Sequence, residues 1–149
     1  MTDQTLFTSI LVAIDGSDAS QKALDTACAL ATTFGAELHL IHSPQVETMS
    51  IAVGYSVVDV PVTPEQVSEA GKAVSAAAVA RATALGVVPQ ETTVAGGVPA
   101  DDILQSAKLN DVDLIVMGRR GLGSVASLFL GSVSQTVSKS AECSVLTVH

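Results

Sequence analysis

The sequence contains no tryptophan, one tyrosine and three phenylalanines. So few aromatics leave no stacking platform for single-stranded nucleic acid. A flavin, which normally takes an aromatic partner, is disfavoured for the same reason. Basic residues are also scarce: seven Lys and Arg stand against fifteen Asp and Glu, for a net charge of −8. That balance argues against nucleic acid and anionic membranes as partners, because both reward an excess of positive charge. No apolar run approaches the ~18 residues of a membrane span. The opening MTDQTLF carries an acidic residue and no basic cluster, unlike a secretory signal. Cys28 and Cys143 are the only cysteines and neither belongs to a Cys-x-x-Cys pair. They read as small buried hydrophobes rather than redox or metal groups, and the expected location is the cytoplasm.

What is present is a chain of 149 residues, 48% of them hydrophobic. This is the size and composition of one globular domain, expected to span 1–149. Apolar runs alternate with helical stretches. Ile10–Ile14 is a continuous apolar run, the mark of a strand covered on both faces. Asp15-Gly16-Ser17 ends it, and Ser17 or Asp18 can cap a helix carrying Ala23, Ala27, Leu30, Ala31 and Phe34, closed by Gly35. Leu38–Ile41 reads as a second strand. Residues 43–62 read as a long irregular connection, of the kind that is often functional or mobile. Thr63-Pro64-Glu65-Gln66 is a capping box with proline at the first helical position. The helix it opens places Val67, Ala70, Val74, Ala78, Ala82 and Leu85 at helical spacing before Gly86. Thr92–Ala95 is a third strand, a helix runs from Pro99 to about Leu109, and Asp113–Met117 is a fourth strand. A Gly- and Ser-rich stretch covers 118–131. Ser132-Val133-Ser134-Gln135 reads as a second capping box, opening a helix to about Ser140, and Ser144–Val148 is a fifth strand.

Strand and helix alternating in this way specify an α/β fold, a parallel sheet with helices on both faces. Such sheets bind ligands beyond the carboxyl ends of their strands, where strand order reverses. Those ends are Asp15, Ile41–Ser43, Ala95–Val98 and Met117 onward. Gly118-Arg119-Arg120-Gly121 leaves the fourth strand directly, and Gly131-Ser132 opens the last helix nine residues later. Glycines let backbone amides close around a phosphate, and a helix N-terminus offers unpaired amides and a positive dipole end. Two of the seven basic residues, Arg119 and Arg120, stand beside this loop.

Gly118, Gly121, Gly131 and Ser132 fit the pattern Gly-x-x-Gly, nine residues, Gly-Ser/Thr. Together with the opening Ile10–Ser17 and the closing Gly131–Gln135 and Cys143–Val148, they make the chain resemble the ATP-binding members of the universal stress protein family over its whole length. The resemblance implies a three-layer, Rossmann-like sandwich with strand order 3-2-1-4-5. It also implies an ATP site across strands one and four, with Mg²⁺ arriving on the nucleotide rather than held by the protein alone. Asp15 is then expected at the ribose hydroxyls or the metal–phosphate region, with Ala13 and Ile14 near the adenine–ribose end. Ile41 is expected to give backbone contacts to adenine, and Val98 to flank the base. Gly118, Gly121, Gly131, Ser132 and Val133 are expected to hold the phosphates, with Met117, Arg119, Arg120 and Ser134 completing the site. The implied role is a nucleotide-dependent sensor or regulatory module of the stress response. The alternatives are a slow ATPase or nucleotide-dependent enzyme on the same fold, or a protein that binds AMP or cyclic AMP.

Several residues carry a plainer reading as well. Asp15 is also good turn chemistry. His39 and His42, three apart on a strand, fall on opposite faces and read as core or rim histidines rather than a metal pair. Asp101 and Asp102 read as a helix first turn, and Asp111 and Asp113 as surface turn residues. Ser124 and Ser127 are phosphate contacts, phosphorylation sites or solvated loop; Met49 and Tyr55 cover either the nucleotide or the sheet edge. The Walker pattern and its lysine are absent, and no His, Glu or second Asp is tied by spacing to the phosphate loop, so the reading favours a binding module over an enzyme. A phosphorylated receiver is disfavoured because Asp15 stands alone and the fourth strand ends without lysine. The last strand is apolar and unprotected by charge until His149. A homodimer through 144–148 is therefore expected, as the resemblance also implies.

Overall fold

The computed structural model describes residues 5–44, 48–61, 63–120 and 131–149, and the backbone alone for 48–51. Three strands form the centre of the main sheet: β1 (Ser9–Ile14), β2 (Glu37–His42) and β6 (Leu114–Gly118). Their residues are almost wholly buried, as their uninterrupted apolar sequences require. The edges are β5 (Glu91–Val94) and β7 (Ser144–Val148), both more exposed. All pairs are parallel and the order is β5-β2-β1-β6-β7. Counting only these five strands in chain order gives 3-2-1-4-5. The label shift comes from two extra strands in another sheet.

Those strands revise the sequence reading. The connection after β2 is not irregular throughout: β3 (Thr48–Val53) and β4 (Ser56–Pro61) pair antiparallel as a separate two-stranded sheet. Val53 pairs with Ser56, so the loop is two residues, Gly54-Tyr55, with Gly54 at φ 62°. Alternating apolar residues around a Gly-X pair were the available signal. Tyr55 at the tip is fully exposed, and Val53, Val57 and Val58 are exposed along the ribbon.

The helices cover both faces. On one, α1 (Asp18–Phe34) and α2 (Pro64–Ala84) pack on Ile10, Val12, Leu38, Leu40, Leu114 and Val116. On the other, α3 (Pro99–Leu109) and α4 (Ser132–Ser140) pack on Leu11, Ile41, Ile115 and Met117. Adjacent strand residues alternate between the two cores, as the pleat demands. The buried stripe of α1 includes Ser20, Leu24 and Cys28 besides the expected alanines, while Leu30 and Phe34 are half-buried. Phe34 instead meets Phe7 edge-on at 5.5 Å. On α2 the buried stripe is Gly71, Ser75, Ala78 and Ala82; Ala70 and Leu85 are exposed. The helix has rotated away from the face that apolarity alone would choose, because small residues permit the closest approach.

Local sequence sets the helix ends. Ser17 accepts from the Ser20 amide, Gly35 takes φ 68° after α1, and Thr63 and Gln66 form the expected reciprocal box. The second expected box does not form. Gly131 is the N-cap of α4 and makes no side-chain cap, so Ser132 is the first helical residue. Asp113 is more than a surface turn: its carboxylate accepts from the amide and hydroxyl of Thr8, both at 2.8 Å, and from the Ser9 amide at 3.2 Å. It thereby ties the start of β1 to the start of β6. Across the outer face, Arg81 donates twice to Asp25, at 2.5 and 2.7 Å, joining α1 to α2. That hydrogen bond, more than the charge itself, holds the Asp25 carboxyl below its usual value. Cys28, one turn further on, is a free thiol that burial pushes up.

Gly71 marks a close approach of α2 to the sheet. A Cβ there would lie 2.7 Å from Val94 Cγ1 and 3.2 Å from His42 Cδ2. Gly71→Val should therefore destabilise the fold by about 1–3 kcal/mol, the usual cost of overpacking, despite the better helix propensity of valine over glycine. A urea midpoint equal to or above that of the parent chain would show that α2 can lift without cost.

Candidate functional site

Because every strand of the main sheet is parallel, every following helix begins at the same edge. The N-termini of α1, α3 and α4 converge there. β1 lies between β2 and β6, and chain connections leave it in opposite directions. A cleft of about 360 Å³ opens at this point. Its floor is Ala13 and Ile14 of β1 with Met117 and Gly118 of β6.

At one end, Gly131, Ser132, Val133 and Ser134 of the α4 entry meet Arg120. The first hydrogen bond of α4 runs from the Gln135 amide to the Gly131 carbonyl at 3.0 Å. The amides of Ser132, Val133 and Ser134 thus lie outside the helix's own ladder, which is what an anion at a helix N-terminus uses. At the other end, the wall comes from Ile41, His42, Ser43 and Pro44, from Ala70 and Val74 of α2, and from Pro99 and Ile103 of α3. That end is mostly apolar.

Asp15 sits between the two ends on the cleft wall. It also does the turn chemistry: its Oδ1 accepts from the Ser17 amide at 2.9 Å, and its own amide donates to Ser20 Oγ at 3.2 Å. The two readings of this residue are therefore compatible. Among the described residues no group of three His, Cys, Asp or Glu could by itself hold a metal ion.

Three expected site residues have structural jobs that spacing does not reveal. A Cβ on Gly118 would lie 3.0 Å from Ala19 Cβ and 3.2 Å from the Ala19 carbonyl carbon and the Ser20 amide nitrogen. Gly118 thus lacks a side chain because the backbone of α1 passes over it. Arg119 does not line the cleft; its amide donates to the Val148 carbonyl at 2.6 Å, and its carbonyl receives the Gly131 amide at 2.8 Å. Ser134 Oγ donates to that same carbonyl at 2.6 Å and lies 3.1 Å from the Gly131 carbonyl. A hydroxyl has one proton, so the buried Ser134 side chain has none left to donate to a ligand. These contacts close the base of the segment between β6 and α4.

Ile41 lines the cleft, but its backbone lies inside the ladder, paired with Ala13 on one side and Thr93 on the other. The first residue past the paired strand is Ser43. Val98 is the N-cap of α3, is 62% exposed and is not part of the wall; Pro99, next in sequence, is. Gly121, Ser124 and Ser127 lie outside the described residues, as does the side chain of Met49.

Spacing also missed part of the wall. His42 is buried there, with Nδ1 2.7 Å from the Ile14 carbonyl. A carbonyl only accepts, so Nδ1 carries the proton. His39 points elsewhere: it is buried, with Nε2 3.9 Å from a Glu37 carboxylate oxygen. Ile41–Ser43 was among the strand ends expected to face a ligand and Pro44 follows directly, so position pointed to these residues although no site role was expected of His42, Ser43 or Pro44. Ala70 and Val74 had no such signal, because only helix packing brings them over β2.

Fold and cleft together define the class: a doubly wound parallel α/β domain with its cleft at the topological switch point. The model of the universal stress protein family matches residues 6–149, and the chain belongs to that family. Universal stress protein YxiE of Bacillus subtilis is 39% identical over 152 residues, covering 97% of this chain and all of that one. A universal stress protein of Archaeoglobus fulgidus solved in complex with dAMP superposes with a TM-score of 0.70 at 26% identity, covering 97% of this chain and 99% of that one. A universal stress protein solved in complex with cAMP does so with a TM-score of 0.70 at 28% identity, covering 96% and 97%. In this chain, no helix among the described residues is long and apolar enough to cross a membrane.

Ser134→Ala should loosen the loop stem. It removes the hydroxyl that lies between two backbone carbonyls, at an expected cost of about 1–2 kcal/mol. The Gly131 amide, which donates to the same Arg119 carbonyl, should exchange its hydrogen faster than in the parent chain. Unchanged exchange at that amide would show that the stem closes without the hydroxyl.

Proposed function

We propose that this chain binds an adenine nucleotide, ATP with Mg²⁺, in the cleft and acts as a nucleotide-dependent sensor or regulatory module of the stress response. Residues 1–149 act as one domain in this reading. The carrying observation is the polarity of the cleft: amides of Ser132, Val133 and Ser134 with Arg120 at one end, and an apolar wall from β2, α2 and α3 at the other. The first end suits phosphates and the second suits a base. The dAMP and cAMP bound by two structural relatives support the adenine part of the reading.

Asp15 is the carboxylate that suits a Mg²⁺ brought by the phosphates, since Mg²⁺ usually takes one or two carboxylates beside phosphate oxygens. The ion would neutralise phosphate charge next to that carboxylate. Arg120 supplies fixed positive charge in a chain of net charge −8. The hydrogen bonds from the Arg119 amide to Val148 and from the Gly131 amide to Arg119 hold the start of α4 in place before a ligand arrives. Such preorganisation lowers the ordering cost of binding. The free thiols Cys28 and Cys143 fit a reducing compartment, and the cytoplasm belongs to the same reading.

A homodimer through 144–148 is also part of it. β7 is a sheet edge, with Leu146 37% exposed on it. Pairing there would satisfy the backbone groups that an edge leaves open. Leu146→Lys should then shift sedimentation from dimer to monomer at micromolar concentration. A parent chain that sediments as a monomer at every concentration would contradict the dimer.

Ser132→Pro tests the phosphate end cleanly. Proline is at home at the first helical position, and Gly131 already holds the extended conformation that a residue before proline needs, φ −70° and ψ 164°. The substitution removes one amide donor and one hydroxyl while α4 stays capped. ATP affinity should fall about ten- to a hundredfold by calorimetry, with adenosine affinity little changed. Equal ATP affinity in both chains would remove the α4 entry from the site. Mass spectrometry of nucleotide released from freshly purified protein decides the ligand. ATP near one per chain supports the module, whereas ADP alone favours a slow ATPase and AMP or cAMP a different ligand.

A further inference from the structure

We infer that Ser43, held by Asp102, is the specificity-determining residue at the base end of the cleft, selecting a 6-amino purine over a 6-oxo purine. The inference rests on the nucleotide reading above. Ser43 Oγ donates to Asp102 Oδ2 at 2.6 Å, and the Gly97 amide donates to the same oxygen at 3.0 Å. One carboxylate in the first turn of α3 therefore fastens both the end of β2 and the loop after β5.

The chemistry of that bond determines what Ser43 can read. A serine hydroxyl has one proton and two acceptor lone pairs. Its proton is committed to a carboxylate oxygen, which cannot return one. Ser43 lines the cleft, and what its hydroxyl offers there is acceptor capacity alone. An acceptor attracts the exocyclic amino group of adenine and repels the carbonyl oxygen at the same position of hypoxanthine or guanine. The Asp102 charge behind it has a second consequence: it repels phosphate from this end. That leaves the phosphates to Arg120 and the α4 amides, and fixes the polarity of the bound nucleotide.

Asp102 is a positioning residue here, since it acts only through the hydroxyl. A merely structural role for either residue would weaken all nucleotides alike. The decisive readout is therefore a ratio, the affinity for ATP over that for inosine triphosphate, which differs only at the 6-position of the base and the adjoining ring nitrogen. Both are titrated calorimetrically into the full chain.

The parent chain should prefer ATP. Ser43→Ala should reduce the preference by about three- to tenfold, the worth of one hydrogen bond. Ser43→Thr, which keeps the hydroxyl, should retain it. Asp102→Ala should lower it too, because the released hydroxyl can turn its proton toward the 6-oxo group; thermal melts establish that this variant folds. ATP binding with the same ratio in the parent chain and Ser43→Ala overturns the inference and leaves the nucleotide reading standing. So does a parent chain that binds both equally. A parent chain that binds no adenine nucleotide overturns both.

Discussion

The arrangement depends on a single constraint, that the five strands of the main sheet are all parallel. A parallel strand must be reached by a crossover, and crossovers are right-handed. Each helix therefore starts at the carboxyl edge of the sheet and runs back along a face. With β1 in the middle, α1 and α2 must lie on one face and α3 and α4 on the other. The seam between β1 and β6 is left uncovered at the carboxyl edge. The cleft is this uncovered seam, and the helix N-termini around it follow from the same geometry.

Close approach then does the detailed shaping. Gly118 lies directly under the first turn of α1, and Gly71 brings α2 down onto His42 and Val94. The Arg119 carbonyl accepts from the Gly131 amide and the Ser134 hydroxyl, while the Arg119 amide donates to the end of β7. A motif that reads as a phosphate loop is thus also a set of packing and closure residues. Backbone groups that close the stem are spent, and the ones that remain for a ligand are the amides of the first turn of α4. At the opposite end, Asp102 plays the same part for Ser43 and Gly97.

Much of this was legible. The strand runs 10–14 and 38–41 lie within one residue of β1 and β2, because buried strands must be apolar and their ends must break; 144–148 coincides with the more exposed edge strand β7, which its apolar and β-branched residues mark all the same. The first capping box formed because Thr63, Pro64 and Gln66 act within one turn. The second did not, because Gly131 takes the N-cap position and Ser132 falls inside the helix, while the Ser134 hydroxyl finds the Arg119 carbonyl, fifteen residues back, a partner that no pattern inside a single turn contains. The hairpin was hidden for a different reason. Its strands pair only with each other, so the β-branched run 56–60 lacked the burial signature by which the central strands β1, β2 and β6 announce themselves. Eleven expected site residues line the cleft, from Ala13 to Ser134, because strand ends and helix starts are local features. Val98 missed by one residue.

The sequence by itself determined the periodicities, the turns and the caps, and through them a parallel α/β sheet with a glycine loop at a helix start. Those are short-range properties, written in residues within a few positions of one another. Only the tertiary structure decided that Gly118 is bare because α1 crosses it and that Ala70 and Val74 roof the cleft. It alone also showed that the hydroxyls of Ser43 and Ser134 are already committed. Each of these depends on which distant backbone comes within about 3 Å of a given atom, and that distance is set by how helices settle on a twisted sheet rather than by any local pattern.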